Sequence, residues 1–266
     1  MTAPLDFAVA NRIATLRLNR PERMNAFDAG LHTALRAALG RIEADQSIAA
    51  VIVTGAGRGF CAGQDLGERA DAFGRGETPD LGRSLAENYN PLIERIAALP
   101  CPVIAAVNGI ASGAGAALAI ACDVVIAAAS ARFQFGFVRV ALGPDAGTSW
   151  LLPRRVGEGR ALALALTGEA VDAPRALAIG LCDRVVDDQA LADAALALAH
   201  QFAAGPKAAI CAIKRAMRTS VPASLDAALA AEPATQRALG NHRDYREAVL
   251  AFAARRAPNF SEEEER

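Results

Sequence analysis

Two glycine-rich loops, each directly after a short apolar run, constrain the fold of this chain more than any other feature. The first run, AAVIVT at 49–54, precedes GAGRGFCAGQDL, and the second, PVIAAV at 102–107, precedes NGIASGAG. An apolar run of this length that ends near glycine is typical of a buried strand. The second loop opens a predicted helix over 114–121, and a third strand is predicted at 124–127. Strand, loop and helix recur about 50 residues apart, which predicts an α/β fold of stacked ββα units.

Further elements are predicted on either side of these loops. Alternating apolar residues predict a hairpin over 7–18, and Asp28 is the expected N-cap of a helix with apolar residues at helical spacing over 31–42. The stretch 71–80 carries glycine, proline and charge with little periodicity, which predicts a mobile loop. A helix is predicted over 90–99, where the following proline ends it.

The last third of the chain has a different character. From about Gly159 nearly every segment has a helical pattern, broken by one short strand at 182–186. The final segments offer three amphipathic helices and no strand, and three thin helices bury little apolar surface alone. We therefore predict a core over 1–200 and a helical region over 201–266 that packs on a neighbouring domain or subunit. The ending SEEEER predicts a solvated acidic terminus.

Composition and charge exclude several classes of protein. The 28 Lys and Arg residues balance 29 Asp and Glu residues at a net charge of −1, which gives no electrostatic footprint for nucleic acid. The five cysteines form no C-x-x-C pair and are expected as buried thiols in a reducing cytoplasm. The N-terminus lacks a signal-peptide pattern and no apolar stretch reaches membrane-spanning length. We therefore expect a soluble protein without a membrane or nucleic-acid partner.

Several familiar catalytic motifs fail on single residues. The first loop lacks the last glycine of a dinucleotide-binding G-x-G-x-x-G, because Phe60 stands there. Ser112 is not at the centre of a nucleophile elbow, where Ala111 stands instead. The scattered histidines form no zinc or Ser-His-Asp pattern, and all three are predicted to lie on the surface: His32, His200 and His242.

What remains is a pair of loops whose backbone could bind a ligand. Glycine lets a backbone approach a ligand closely and expose its N–H groups, and the second loop also opens a helix N-terminus, which carries partial positive charge. One N–H from each loop, directed at a common point, would form an oxyanion hole. Tight turns between strand and helix explain the same glycines equally well.

Four collinear segments resemble successive motifs of the crotonase, or enoyl-CoA hydratase/isomerase, family. They are RPERMNAFD at 20–28, GRGFCAGQDL at 57–66, PVIAAVNGIASGAGAALAIACDVVIAAASARF at 102–133 and LGPDAGTSWLLPRRVG at 142–157, within a similarity that extends over roughly 5–260. The resemblance implies a crotonase-type spiral of ββα units with a C-terminal helical trimerisation region. It also implies coenzyme A thioester substrates, and assembly as a homotrimer or dimer of trimers. No metal or redox cofactor is implied, since coenzyme A is part of the substrate.

Matching the motifs residue by residue carries the family's functional positions onto this chain. The two oxyanion donors fall on the backbone N–H groups of Gln64 and Ala114, so the resemblance agrees with the two-loop hypothesis. The adenine and pantetheine path maps onto three residues: Ala62, Asp65 and Leu66. An aromatic and basic pair that reaches a neighbouring subunit's coenzyme maps onto Phe252 and Arg255, although a solvated helix charge explains Arg255 as well.

The chain departs from the family pattern at the residues that support hydration. Family hydratases position a water with two glutamates, and the corresponding positions here are Ala117 and Phe137. Asp145 is the remaining acid, and family members that move double bonds often place an aspartate there. Pro-Asp-Ala-Gly is also good N-cap chemistry for a helix that begins near Ala146. The apolar residues expected to surround Asp145, and to raise its pKa by desolvation, are Phe137, Leu142 and Trp150.

Within the family the likeness is greatest to isomerases of ring-1,2-epoxyphenylacetyl-CoA in phenylacetate catabolism, which carry a second glycine where this chain has Thr148. The resemblance therefore implies an acyl-CoA isomerase. The thioester oxygen would lie between the amides of Gln64 and Ala114, and Asp145 would act as the acid/base. The reaction would rearrange a ring epoxide to an oxepin or shift the double bond of an enoyl-CoA, as in fatty acid metabolism. The alternatives are an enoyl-CoA hydratase and a catalytically silent CoA-binding subunit.

Overall fold

The strands of the protein form two sheets, and successive ββα units add one strand at a time to them. The computed structural model describes residues 3–220 and 224–260, and within them the strands are β1 (Leu5–Ala10), β2 (Ile13–Leu18), β3 (Ala50–Gly55), β4 (Gly59–Cys61), β5 (Val103–Val107), β6 (Ile110–Ser112), β7 (Val124–Ala128), β8 (Arg132–Gln134), β9 (Ala170–Asp172) and β10 (Arg184–Val186). The first sheet has the order β1-β2-β3-β5-β7-β10 and the second the order β4-β6-β8-β9.

Helices connect these strands and cover the sheets. In the described part of the chain they are α1 (Ala29–Ala44), α2 (Leu66–Gly74), α3 (Leu81–Ser84), α4 (Asn90–Ala98), α5 (Ala114–Ala121), α6 (Thr148–Val156), α7 (Glu158–Thr167), α8 (Ala173–Ala178), α9 (Leu191–Ala203), α10 (Lys207–Ser220), α11 (Leu225–Gly240) and α12 (Arg243–Ala253). A π-helical turn, Leu85–Tyr89, joins α3 to α4.

Each ββα unit contributes one strand to the first sheet and one strand to the second, so the chain advances as a spiral. The strands β3, β5 and β7 pair in parallel in the first sheet, and β4, β6 and β8 pair in parallel in the second. Because parallel strands end at the same edge of a sheet, the glycine-rich loops that follow β3 and β5 lie side by side. The predicted α/β fold of stacked ββα units is confirmed.

Consecutive turns of the spiral touch through their backbones. A Cβ added to Gly109, which follows β5, would lie 2.1 Å from the carbonyl oxygen of Arg58, which follows β3, and one added to Gly115 of α5 would lie 2.2 Å from that of Cys61 in β4. Real Cβ atoms do not approach other atoms so closely, so glycine is required at both positions. The spacing between turns is therefore set by main-chain contact.

The core lies on both sides of the first sheet. All eight residues of α5 are buried, and this helix packs against α4 and α6. The opposite side is covered by α9, which contacts β3, β5 and β7 through Leu191, Ala195 and Ala199. Alanine and glycine along α5 allow this close packing, because small side chains let neighbouring backbones approach.

Arg20 connects the starts of two helices. The Asp28 carboxylate accepts a 2.7 Å hydrogen bond from Leu31 N and caps α1, as predicted, while Asp65 caps α2 through the backbone N–H groups of residues 67 and 68. The Arg20 guanidinium lies 3.0 Å from Asp28 and 3.1 Å from Asp65. It therefore fixes the loop before α2 relative to the N-terminus of α1.

Several further sequence predictions agree with the structure. The hairpin is formed by β1 and β2, which pair antiparallel in full register. The helices predicted over 90–99 and 114–121 are α4 and α5, and the strand predicted at 124–127 is β7. The acidic ending SEEEER lies outside the described residues.

Three sequence predictions were incomplete or wrong. The stretch 71–80 is not a loop throughout, because α2 extends to Gly74 and its residue Ala72 is buried. The short strand β9, which pairs antiparallel with β8, was not predicted. His32 is buried rather than on the surface, since it lies on the apolar side of α1 beside Leu31 and Leu35.

The C-terminal helices leave many apolar side chains uncovered. Among the described residues of α11 and α12 only Ala251 is buried. The exposed large apolar residues of these two helices are Leu225, Leu229, Tyr245, Val249, Leu250 and Phe252. The division into a core over 1–200 and an associating region over 201–266 stays a prediction.

No single helix in the ranges 3–220 and 224–260 is long and apolar enough to cross a membrane. The segments Asp188–Ala203 and Lys207–Thr219 reach the required length and hydropathy only when taken together, and they are bent by 108° at their junction.

The contact between turns makes a testable prediction at Gly109. Replacing Gly109 by Ala forces the new methyl group against the Arg58 carbonyl, so we expect the free energy of unfolding to fall by about 2–3 kcal/mol. The matched control is Gly159→Ala in α7, where an added Cβ meets nothing within 4 Å. It should be neutral or stabilising by up to about 1 kcal/mol. Equal denaturant midpoints for the two variants would contradict the assigned contact.

Candidate active site

The two glycine-rich loops lie directly against each other. A Cβ on Gly63 would lie 2.8 Å from the carbonyl oxygen of Ser112 and 3.5 Å from the backbone nitrogen of Ala114. A Cβ on Gly115 would lie 2.2 Å from the carbonyl oxygen of Cys61. The residues before Gln64 are therefore packed onto the N-terminus of α5, and only glycines permit this approach.

Gln64 is oriented by a backbone bridge to Phe27. Phe27 N donates to the Gly63 carbonyl at 2.7 Å, and Asp65 N donates to the Phe27 carbonyl at 3.0 Å. The bridge uses the Gly63 carbonyl and the Asp65 N–H. The Gln64 N–H shares a peptide group with the Gly63 carbonyl and points in the opposite direction, so it points away from Phe27. Ala114 supplies the first amide of α5, one of those for which the helix itself offers no acceptor. The two amides that the sequence singled out thus belong to neighbouring backbone segments.

Phe137 closes one side of this region. Gly113 has φ +51°, and a Cβ there would lie 3.9 Å from the Phe137 ring. Phe137 is buried, and its carbonyl accepts a 3.0 Å hydrogen bond from Leu142 N. The two positions that match the hydratase glutamates, Ala117 and Phe137, are therefore both buried and apolar.

Asp145 is a partly buried carboxyl group that lacks a protein partner for one oxygen. Its Oδ1 is buried without a hydrogen bond among the described residues, and burial raises its pKa from 3.8 to about 6. The expected desolvation is confirmed. A general acid or base works best when its pKa lies near the working pH.

The Asp145 side chain does not cap α6, which corrects the alternative that the sequence left open. The N-cap position is Gly147, with φ +75° and no side-chain hydrogen bond. Only the Asp145 main-chain carbonyl takes part, accepting from Thr148 N at 2.8 Å. The Asp145 carboxyl group therefore makes no capping hydrogen bond to the N-terminus of α6.

Tyr89 contacts Gln64 and lies near enough to Asp145 for its charge to act on the Tyr89 hydroxyl. Its hydroxyl donates a short hydrogen bond to Gln64 Oε1. Burial, followed by the nearby charges of Cys61 and Asp145, raises the pKa of Tyr89. The same helix approaches the Asp145 loop, because a Cβ on Gly147 would lie 3.4 Å from Ile93 of α4.

The residues predicted along the coenzyme path have different surroundings. Asp65 is buried; burial alone would raise its pKa, but hydrogen bonds from Arg20 and two backbone amides leave that pKa lowered. Leu66 is 55% exposed at the start of α2. Ala62 is partly buried, and its N–H donates to the Met24 carbonyl at 3.0 Å. Asp65 therefore has a structural role whether or not it contacts a ligand.

The apolar surroundings predicted for Asp145 are only partly found. Leu142 is 44% exposed, beside Phe137. Trp150 instead lies over Arg154, whose guanidinium carbon is 3.8 Å from the ring centroid, and lines a separate cavity of about 550 Å³ with Ile213 and Met217 of α10.

Phe252 and Arg255 lie at the far end of the chain. Phe252 is 86% exposed on α12, and Arg255 is exposed just after the helix, with φ +53°. Within one chain neither is brought to the two loops, so their assignment to a neighbouring subunit's coenzyme stays a prediction.

Sequence reasoning missed the aromatic residues behind Gln64. The His32 ring stacks on Phe27 with a 5.0 Å centroid distance and meets Tyr89 edge-on at 4.4 Å. Burial, and then the positive charge of Arg36, lower the pKa of His32 to about 4, so its ring is neutral at pH 7. The helical spacing of His32 with Leu35 and Leu39 was an available signal, whereas nothing in the sequence pointed to Tyr89. In the described part of the chain no three His, Cys, Asp or Glu side chains are grouped to hold a metal.

Comparison with known proteins places this geometry in a family. A family model for enoyl-CoA hydratase/isomerase matches residues 8–263. The chain is 47% identical to the 1,2-epoxyphenylacetyl-CoA isomerase of Escherichia coli strain K12, covering 95% of this chain and 96% of that protein. It is 36% identical to the 2,3-dehydroadipyl-CoA hydratase of the same strain, covering 94% and 95%.

Solved structures agree with the sequence comparisons. A 1.8 Å crystal structure of an enoyl-CoA hydratase from Bacillus anthracis superposes with a TM-score of 0.90 at 33% identity, over 97% of this chain and 98% of that one. An enoyl-CoA hydratase/isomerase from Cupriavidus metallidurans CH34 gives a TM-score of 0.89 at 32% identity, over 99% and 98%. This chain belongs to the enoyl-CoA hydratase/isomerase family.

Proposed function

We propose that this protein is an acyl-CoA isomerase with one acid/base residue, Asp145. The observation that carries the proposal is the Asp145 carboxyl group, whose Oδ1 is buried without a hydrogen-bond partner among the described residues and whose pKa is raised to about 6. The positions that would hold the two glutamates of a hydratase are Ala117 and Phe137. A single carboxyl group can take a proton from one carbon and return it to another, whereas hydration by the family's usual route needs a second acid.

The backbone amides of Gln64 and Ala114 supply the other half of the mechanism. In the proposed complex both donate to the thioester carbonyl oxygen, which stabilises the enolate that forms when the adjacent carbon loses its proton. Each such donor typically contributes about 3 kcal/mol toward the transition state. The proximity of the two loops, through Gly63 and Gly115, supports this pairing.

The proposed reaction balances without a cofactor. Asp145 removes a proton from the carbon next to the thioester, the electron pair moves along the conjugated system, and Asp145 returns the proton to a more distant carbon. A double bond is shifted and no atom is gained or lost. Coenzyme A is a part of the substrate.

The preferred substrate we propose is ring-1,2-epoxyphenylacetyl-CoA, which rearranges to an oxepin of the same atomic composition. The 47% identity to an isomerase of that name supports this choice. Shifting the double bond of an enoyl-CoA is the second reaction that the same groups can perform. Ala62, Asp65 and Leu66 are the proposed contacts along the coenzyme path.

A homotrimer or dimer of trimers in the cytoplasm is the proposed working form. The uncovered apolar residues of α11 and α12 support association, with Phe252 and Arg255 reaching the coenzyme of a neighbour. Four of the five cysteines are buried free thiols, which suits a reducing compartment.

Asp145→Asn tests the proposed base. The amide keeps the size of the side chain but cannot accept the proton, so we expect kcat for double-bond migration to fall about 100- to 10,000-fold, with little change in affinity for coenzyme A. Turnover is followed by chromatography of the thioester products. The matched control is Asp193→Asn on the exposed side of α9, which should retain full activity.

The outcomes of this assay separate the alternatives. Near-normal turnover by Asp145→Asn would remove Asp145 from the mechanism. A hydroxyacyl product from crotonyl-CoA would indicate a hydratase. Thioester binding without turnover by the unmodified protein, across ring-epoxide and linear substrates, would indicate a silent CoA-binding subunit.

The raised pKa of Asp145 predicts the pH dependence of activity. The base must be ionised in the free enzyme, so kcat/KM should rise with pH and level off above an apparent pKa of about 6. A profile already flat at pH 5 would show that the group is not desolvated.

The same group predicts a pH dependence of stability. Because the folded chain holds the Asp145 proton more tightly than the unfolded chain, the protein loses stability as pH rises from about 4 through about 6. Asp145→Asn lacks this loss, so above pH 7 its free energy of unfolding should exceed that of the parent protein. The difference should shrink toward pH 4 in denaturant titrations, and a constant difference would contradict the shift.

A further inference from the structure

We propose that Tyr89 is a positioning residue whose hydroxyl, through the Gln64 side chain, fixes the direction of the Gln64 backbone N–H toward the thioester oxygen. The inference rests on the proposed function, because it assigns a purpose to a residue that supports the two-amide site. Tyr89 itself need not touch the reacting atoms.

Both ends of the Gln64 side-chain amide are held. Its Oε1 accepts from the Tyr89 hydroxyl and, at 3.4 Å, from Arg69 Nη2, which also donates to Ser84 Oγ at 3.2 Å. Its Nε2 donates to the Phe27 carbonyl at 3.5 Å. Of these donors, Tyr89 is the most buried, so water competes least for its hydrogen bond.

The side-chain hydrogen bonds add to the Phe27 bridge in restraining the Gln64 backbone. The preceding residue, Gly63, has φ +89°, a conformation that glycine adopts easily and leaves easily. Rotation of the peptide between residues 63 and 64 would swing the donor N–H away from its target. Donors in an oxyanion hole act through their fixed direction, and a misplacement of about 1 Å can reduce the rate roughly 100-fold.

Tyr89 is itself rigidly placed. It is 5% exposed, and its ring meets Phe27 edge-on at 5.4 Å and 77°, and His32 at 4.4 Å and 81°. It ends the π-helical turn Leu85–Tyr89 between α3 and α4. A π turn holds an extra residue and so rotates the helix face that follows, and such turns occur often at functional sites.

The test is Tyr89→Phe, which removes one oxygen and keeps the buried ring. We expect kcat to fall about 10-fold while KM changes less than 3-fold, because the Gln64 N–H that Tyr89 directs stabilises the oxyanion of the transition state. The matched control is Tyr245→Phe at the other tyrosine of the chain, which is 57% exposed on α12. That control should behave like the parent protein.

A spectroscopic measurement separates positioning from a purely structural role. Hydrogen bonding lowers the carbonyl stretching frequency of a bound thioester, so the infrared band of carbonyl-labelled butyryl-CoA should lie closer to its solution value in Tyr89→Phe than in the parent protein. This acyl-CoA is saturated and is not turned over. The band therefore reports on Tyr89 even if the proposed isomerase activity fails.

A double-mutant cycle with Gln64→Met identifies the route. If Tyr89 acts through the Gln64 side chain, the double variant should lose no more activity than the stronger single variant, whereas independent roles give multiplied losses. The proposal is overturned by any of three results. They are an unchanged carbonyl band, multiplied losses in the cycle, and a lowered melting temperature with normal kcat.

Discussion

Main-chain contact between successive turns of the spiral is the constraint on which the rest of the structure depends. At Gly63, Gly109 and Gly115 a single added carbon would collide with a carbonyl of the neighbouring turn. These glycines allow two sheets of short parallel strands to stack with their connecting loops in contact. The backbone itself therefore brings the amides of residues 64 and 114 close together, and in our proposal the Tyr89–Gln64 bond then fixes the direction of one of them.

Two other parts of the chain hold this arrangement from outside. The segment around Phe27 bridges the backbone on both sides of Gln64, and Arg20 binds the cap of α2 to the cap of α1. The helix α4 contacts the loop of Asp145 through Ile93, while Tyr89 just before it contacts Gln64. Distant stretches of sequence therefore meet around Gln64 and the loop of Asp145, and each holds one part of this region in place.

The elements near the site could be predicted because their signals are local. Asp28 precedes a leucine-patterned helix, and α5 begins where a glycine-rich loop meets a run of alanines. The antiparallel strand β9 gave no such signal, because it is short and its pairing with β8 is a long-range contact. The bond between Tyr89 and Gln64 and the burial of His32 likewise depend on helices meeting in space. The family resemblance pointed to Asp145, but only the structure shows that its carboxyl group does not serve as the cap of α6.

Placing the donors on the main chain has an evolutionary consequence. Every residue type except proline carries a backbone N–H, so substitutions at 64 or 114 that preserve the backbone conformation leave both donors in place. A lineage with this scaffold can exchange a few side chains, such as those at 117, 137 and 145, without rebuilding the two amides that we propose bind the carbonyl. New reactions in such a lineage therefore require few mutations, and selection against change should concentrate on the glycines that permit the close contacts.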